Sequence, residues 1–461
     1  MNTQWMDATE TAERIRAGRL SSVEAVRQSL ARIADLDGAL HAFVIVLEEQ
    51  ALAAAEARDR DRTAGIVCGP LHGVPVAVKD LFDMAGHRTG AGSKSFPDHR
   101  AQISASAVLK LEGAGAVIVG KTHMVEFAFG GWGTNSVLGT PRNPFDLTRH
   151  HRAPGGSSSG SAVAVASGMV PLALGTDTGG SVRIPAAFCG LFGHKSSPGL
   201  IDRDRMRFLS PSHDTIGTLA RSTRDLELVA GLLAGEGRPR HAAPGAGPFR
   251  LATLVDEAME RLDPEIRDLF APALDRLART HGPVARIRLP VSMAEMCEKA
   301  GRLMSAESYA SLSEITENPR TDVAPEIRAR INLGREIGPG ELLGLHALKR
   351  QWKAAFAETF GPFDALVMPG AALLPPPIDE IDQADMLPSI FGRFVNMLDL
   401  CTCSVPIGLS QAGLPIGLQL ISRKGSDRQA LRLGAAMEGS GSAVFRAPML
   451  DAALRPLRRV G

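Results

Sequence analysis

Two serines, each preceded by a pair of glycines, mark the stretch of this chain best suited to chemistry. Ser157 lies in Gly155-Gly156-Ser157-Ser158-Ser159-Gly160, and Ser181 in Thr176-Asp177-Thr178-Gly179-Gly180-Ser181-Val182-Arg183. Glycine beside serine lets the backbone bend so that hydroxyls and bare N–H groups face one point. Attack on an amide carbonyl needs a nucleophile, a base to take its proton and donors for the oxyanion. Thr178, Gly179 and Gly180 supply consecutive N–H groups on an unhindered turn just ahead of a helix start, an oxyanion hole with Ser181 as nucleophile. The base available to this pair is Lys79, relayed through Ser157. Lys79 ends a predicted strand whose Pro75, Ala77 and Lys79 face is otherwise small and apolar. A free lysine, with a pKa of about 10.4, is neutral in only about one molecule in a thousand at pH 7.5. Burial that lowers the pKa by about three units, roughly 4 kcal/mol against the charged form, would make it a base. Position alone favours the plainer alternative of a lysine at a strand end reaching water.

Other motifs compete for the same residues. Gly156-Ser157-Ser158-Ser159-Gly160 fits the Gly-x-Ser-x-Gly elbow, which would make Ser158 the nucleophile with His194 or His213 as base. That reading leaves Ser181 and its glycines unexplained, and an elbow serine must follow directly on a strand, whereas Asn143 to Pro154 is polar and loop-like. Gly115-x4-Gly120-Lys121-Thr122 formally fits a phosphate loop, but its middle residues read as a strand, whose N–H groups go to a sheet. Phe127 to Asn135, rich in glycine and aromatics, suits a pocket wall or a loop over the core.

These residues must be positioned by a large fold. The 461 residues carry 51 Lys and Arg against 50 Asp and Glu, a net charge of +1 that argues against a nucleic-acid ligand. The N-terminus lacks the apolar core of a secretory signal, and no run of about 18 apolar residues exists to span a membrane. The five scattered cysteines fit a reduced, cytoplasmic protein; Cys401 and Cys403 share a strand face, without partners for a zinc set. Residues 1–65 read as helices, with Ser21 and Glu24 forming a capping box. Strands are expected at 74–78, 116–119, 170–175, 249–254, 284–289, 364–368, 401–407 and 416–421, with helices at 106–112 and 161–169. The segment 236–248, rich in Gly, Pro and Ala, reads as a linker or surface loop. Sheet formers on both sides of a helical stretch imply one sheet built from distant parts, hence a single domain over 1–461. Its parts are N-terminal helices (1–65), a core (66–235), a mainly helical insert (236–360) and a return to the sheet (361–461).

The run Gly155 to Gly190, with Val78-Lys79-Asp80 upstream, resembles the amidase signature family. Glu126-Phe127-Ala128, Asn143-Pro144, Asp214-Thr215-Ile216-Gly217 and Gly413-Leu414-Pro415-x-Gly417-Leu418-Gln419 extend the resemblance. It is strong over 66–225 and moderate over 363–435. The resemblance implies an α/β fold with a large, mixed, twisted sheet covered by helices on both faces. It also implies a Ser–cis-Ser–Lys triad: Ser181 as nucleophile, Ser157 as bridging serine after a cis peptide bond from Gly156, and Lys79 as base. Thr178, Gly179 and Gly180 fall on the oxyanion loop, with Ser158, Asp177 and Arg183 as support. The reaction implied is hydrolysis of a small non-peptide or ureide-like amide through an acyl-enzyme, without metal or cofactor; a homodimer is left open. The chain departs from the family pattern at Gly193-His194-Lys195-Ser196-Ser197 and at Asn396-Met397-Leu398-Asp399-Leu400-Cys401, and the second variant resembles allophanate and biuret hydrolases more than the glutamine-hydrolysing component of tRNA-dependent amidotransferases. That amidotransferase component and a catalytically silent binding protein on the same scaffold are the alternatives.

Overall fold

Alternation in the lysine-bearing strand sorts its side chains into two separate cores. Val74, Val76 and Val78 pack on one side with Phe82, Leu172 and Leu174, while Ala77 packs on the other with Val117, Val119 and Ala173. Both faces are covered, so the strand is central, and its end is buried with it. The structure, a computed structural model, describes residues 3–96, 98, 100–147, 151–236 and 248–450. The expected linker over 236–248 lies almost wholly outside the described residues.

Among the described residues eleven strands form one mixed sheet: β1 (Phe43–Val46), β2 (Pro75–Lys79), β3 (Val117–Thr122), β4 (Leu172–Asp177), β5 (Phe192–Lys195), β6 (Thr215–Ala220), β7 (Leu251–Leu254), β8 (Ala285–Ile287), β9 (Ala365–Pro369), β10 (Cys401–Leu409) and β11 (Pro415–Ser422). Their order is β1-β3-β2-β4-β6-β5-β10-β11-β9-β7-β8. β2 runs parallel to both β3 and β4, whereas β6, β5, β10 and β11 pair antiparallel. The N-terminal and C-terminal parts therefore join through β5 and β10, as the distant sheet formers imply. Helices cover both faces. The all-small helix Ser159–Ala166 is buried along its whole length, and the insert supplies the longer helices Pro264–His281, Met293–Thr316 and Pro339–Phe360.

Local signals explain many of the boundaries. Ser21 caps the helix Ser22–Leu40 by accepting the Glu24 N–H at 2.9 Å. The strand β1 was not anticipated: four apolar residues squeezed between two helices carry no alternation to read, and pairing with β3 at the sheet edge makes the strand. β3 extends through Gly120-Lys121-Thr122, so the phosphate-loop pattern lies in a ladder, and Lys121 pairs with Asp80 at 2.6 Å instead. Among the described residues no helix is long and apolar enough to cross a membrane, and no cluster of three His, Cys, Asp or Glu could hold a metal.

Candidate active site

Because β2 and β4 are parallel neighbours, their C-terminal ends and the loops that follow converge at one edge of the sheet. Lys79 ends β2, and Thr176 and Asp177 end β4. The serine run reaches the same point from the loop before Ser159–Ala166. The Ser158 N–H donates to the Ser181 carbonyl at 3.2 Å, which sets the two glycine–serine segments side by side. The peptide bond between Gly156 and Ser157 is cis. Gly175 in β4 has no side chain because a Cβ there would come within 2.7 Å of the Ser158 hydroxyl.

Lys79 is fully buried. Its Nζ lies 2.7 Å from Ser157 Oγ, 2.8 Å from Thr176 Oγ1 and 3.1 Å from Ser158 Oγ. Three hydroxyls thus face a nitrogen with no carboxylate in direct contact among the described residues. Burial pulls the lysine down from its ordinary 10.5 to about 7, against the opposing pull of the Asp214 and Asp177 carboxylates. The plainer expectation of a lysine at water is overturned: both faces of β2 are covered, so its end has no route to solvent.

The loop after β4 is held from beneath. Asp177 forms a two-pronged pair with Arg183, Nη2 to Oδ1 at 2.7 Å and Nε to Oδ2 at 3.0 Å. Burial alone would raise the Asp177 carboxyl, but the guanidinium beside it holds it well below the usual carboxylate range. The same carboxylate accepts the N–H groups of Gly180 and Val182, each at 3.0 Å. Gly180 adopts a φ of 120° that side-chain-bearing residues rarely reach. Its N–H therefore points to Asp177, while the N–H groups of Thr178, Gly179 and Ser181 have no partner among the described residues. This departs from the sequence expectation, in which Gly180 belongs to a free set; an Asp three residues upstream is the signal for its capture. The Thr178 hydroxyl donates to Asp214 at 2.5 Å, and burial raises that carboxyl to about 6.

Ser181 retains slight exposure where Ser157 has none. Its hydroxyl makes no hydrogen bond among the described residues and opens on a cleft walled by Phe129, Gly130, Gly131 and Trp132 on one side and by Met386, Pro388 and Arg393 on the other. The glycine-rich aromatic loop is thus a pocket wall. It also clamps the serine run, with the Gly155 and Gly156 N–H groups donating to the Trp132 and Gly131 carbonyls at 3.1 and 2.8 Å. Ser157 Oγ and Ser181 Oγ are not hydrogen-bonded to each other here; such contacts commonly tighten only with substrate bound.

The esterase alternative finds no base. His194 donates its Nε2–H to Asp427 Oδ1 at 3.0 Å, and His213 contacts Ser210 and Ser212; neither reaches Ser158 among the described residues. Burial, then the neighbouring cations Lys349 and Arg393, hold His213 well below its ordinary value, hence neutral. Three contributors lie outside the sequence reading of the site: Thr176, Asn396 and Gln419. Asn396 accepts from Arg183 Nη2 at 2.6 Å and donates to the Asp177 carbonyl at 3.1 Å, while Gln419 Oε1 lies 3.3 Å from Arg183 Nη1. The last two lie in the C-terminal stretches that carry the family resemblance, and that was the only available signal.

Known proteins resemble this chain along most of its length. A family model described as Amidase matches residues 24–431. A glutamyl-tRNA(Gln) amidotransferase component, of the A type, from Geobacter metallireducens is 34% identical, covering 93% of this chain and 96% of its own. A 2-amino-5-chloromuconic acid deaminase from Comamonas testosteroni is 32% identical, covering 98% and 100%. A solved amidase structure superposes with a TM-score of 0.86 at 32% identity, over 94% of this chain and 100% of that one. The chain belongs to the amidase signature family and is an enzyme that hydrolyses carbon–nitrogen amide bonds.

Proposed function

We propose that this enzyme cleaves a small non-peptide or ureide-like amide through Ser181, Ser157 and Lys79. The observation that carries the reading is the Lys79 nitrogen, fully buried and 2.7 Å from Ser157 Oγ. Neutral Lys79 takes the Ser157 proton as Ser157 takes that of Ser181. The Ser181 oxygen attacks the carbonyl carbon, and the free N–H groups of Gly179 and Ser181 hold the oxyanion, with Thr178 beside them. As the tetrahedral intermediate collapses, the C–N bond breaks and the proton returns through Ser157 to the leaving nitrogen. Water, deprotonated along the same relay, then releases the acid from Ser181. Asp177 and Arg183 shape the loop, and Ser158 and Thr176 orient the lysine. The single domain over 1–461 belongs to the same proposal, since both halves of the sheet contribute residues that hold the loop.

The second reading, a glutamine-hydrolysing component of a tRNA-dependent complex, is favoured by the 34% identical amidotransferase relative. The deaminase, at 32% over nearly full length, favours an enzyme acting on a free small molecule. Ser181→Ala separates both from a silent scaffold: ammonia release from a panel of amides, carbamates and ureides should vanish while the circular dichroism spectrum stays unchanged. Retained turnover in that variant refutes the assignment.

A further inference from the structure

Two arginines, Arg330 and Arg393, line the cleft into which Ser181 opens. Arg393 follows directly on Gly392, in the helix Ile390–Met397 that packs on the oxyanion loop. A Cβ on Gly392 would lie 2.2 Å from the Gly179 carbonyl oxygen, and one on Gly179 would lie 3.1 Å from Arg393 Cγ and 3.9 Å from its Nε. The guanidinium therefore starts beside the reacting centre. It is buried, at 7% exposure. Among the described residues it donates only to the Cys297 carbonyl at 2.9 Å and to the Met386 sulfur at 3.7 Å. Arg330 lies half-buried over Gly130 and donates to the carbonyls of Phe129, at 2.6 Å, and Gln383.

Neither arginine has a carboxylate partner among the described residues. A buried guanidinium is ordinarily paired, because its desolvation is offset only by an anion or a full set of acceptors. Here two of them share one cleft and repel each other, which adds to the burial that lowers the Arg330 pKa, against a weaker opposing pull from Glu326. The Trp132 indole N–H, in the same wall, is buried with no acceptor among the described residues. The cleft is thus lined by two guanidiniums without an anion and an indole N–H without an acceptor among the described residues. The one carboxylate on its wall among the described residues, Asp385, is exposed at the rim and accepts the Leu387 N–H at 2.8 Å. A bound ammonium group would find no buried carboxylate on the cleft wall among the described residues.

We propose that Arg393, with Arg330, forms a carboxylate-binding clamp that selects amides bearing a carboxylate and no neighbouring ammonium group. This rests on Ser181 as the nucleophile, because the clamp is defined by its place beside that hydroxyl. A guanidinium fork matches a carboxylate in two parallel hydrogen bonds, and a lysine in its place would keep the charge without that match. A zwitterionic amino-acid amide is disfavoured by its ammonium, and a neutral amide leaves both guanidiniums unpaired.

Three amides of equal chain length make the test: pentanamide (neutral), glutaramate (one carboxylate) and glutamine (carboxylate and ammonium). The expected wild-type order of kcat/KM places glutaramate first, at least about 30-fold above pentanamide, the ratio expected for a desolvated charge pair. The difference should sit in KM, and glutamine should fall below glutaramate. Arg393→Gln should collapse the glutaramate-to-pentanamide ratio toward one, and Arg393→Lys should recover part of it, which a misfolded variant would not. Calorimetric binding of glutaramate to Ser181→Ala, lost when Arg393→Gln is added, reads the clamp without turnover. Pentanamide used as well as glutaramate, an unchanged ratio in Arg393→Gln, or no glutaramate binding to Ser181→Ala overturns the proposal. Glutaramate binding with no fluorophosphonate labelling of Ser181 instead sinks the nucleophile assignment, so the two failures are distinct.

Discussion

Replacing Lys79 probes the step on which the mechanism turns. A lysine at its ordinary 10.5 is neutral in about one molecule in a thousand at pH 7.5. At about 7, the value set by burial against Asp214 and Asp177, about three quarters are neutral at the same pH, a gain of roughly 750-fold, or about 4 kcal/mol. Protonation removes the base, so kcat/KM should rise tenfold per pH unit below 7 and level off above it. Lys79→Ala should lower kcat/KM at pH 8 by at least about 100-fold, the lower range for a positioned proton-transfer group, and should abolish the rising limb. Lys79→Arg keeps a charge that does not titrate in this range and should be inactive throughout. The assay is ammonia release between pH 5.5 and 9 in buffers of constant ionic strength. A wild-type profile flat across pH 7, or a Lys79→Ala profile parallel to the wild type, refutes the lysine as base.

Two further substitutions address the oxyanion loop. Asp177→Asn leaves the buried Arg183 guanidinium without its anion and weakens the acceptors for Gly180 and Val182; urea melts should show a loss of about 3–5 kcal/mol, and a loss below about 1 kcal/mol contradicts the buried pair. Gly180→Ala places a Cβ 2.7 Å from Ile184 Cδ1 at a φ of 120°. By displacing the donors on either side it should lower kcat by about 100-fold or more with KM little changed, whereas a kcat within about threefold of wild type refutes that loop geometry.

The sequence made the chemistry more legible than the architecture that enforces it. Glycine-flanked serines and a lysine on a small apolar strand face are local facts, and the lysine meets Ser157 and Ser158 within 3.1 Å in the structure. The repeated Val at 74, 76 and 78 announced a strand but not that its opposite face is also covered, and that decides whether Lys79 is a base. The capture of the Gly180 N–H by Asp177 was foreshadowed only by the Asp three residues upstream, and it takes a Gly180 φ of 120° to complete it. β1 was invisible because its four residues are strand-like only beside β3. Asn396, Gln419 and Arg393 come from segments more than 200 residues downstream of Asp177, and only the join of β5 to β10 brings them to the loop.

The most direct measurement is the site of covalent capture. Treated with a fluorophosphonate at pH 8 and digested, the enzyme should yield one labelled peptide, with the modification on Ser181 by tandem mass spectrometry. Labelling should slow in Lys79→Ala in step with the loss of turnover. Modification of Ser158, or amide hydrolysis that proceeds undiminished while Ser181 is fully modified, would contradict the account.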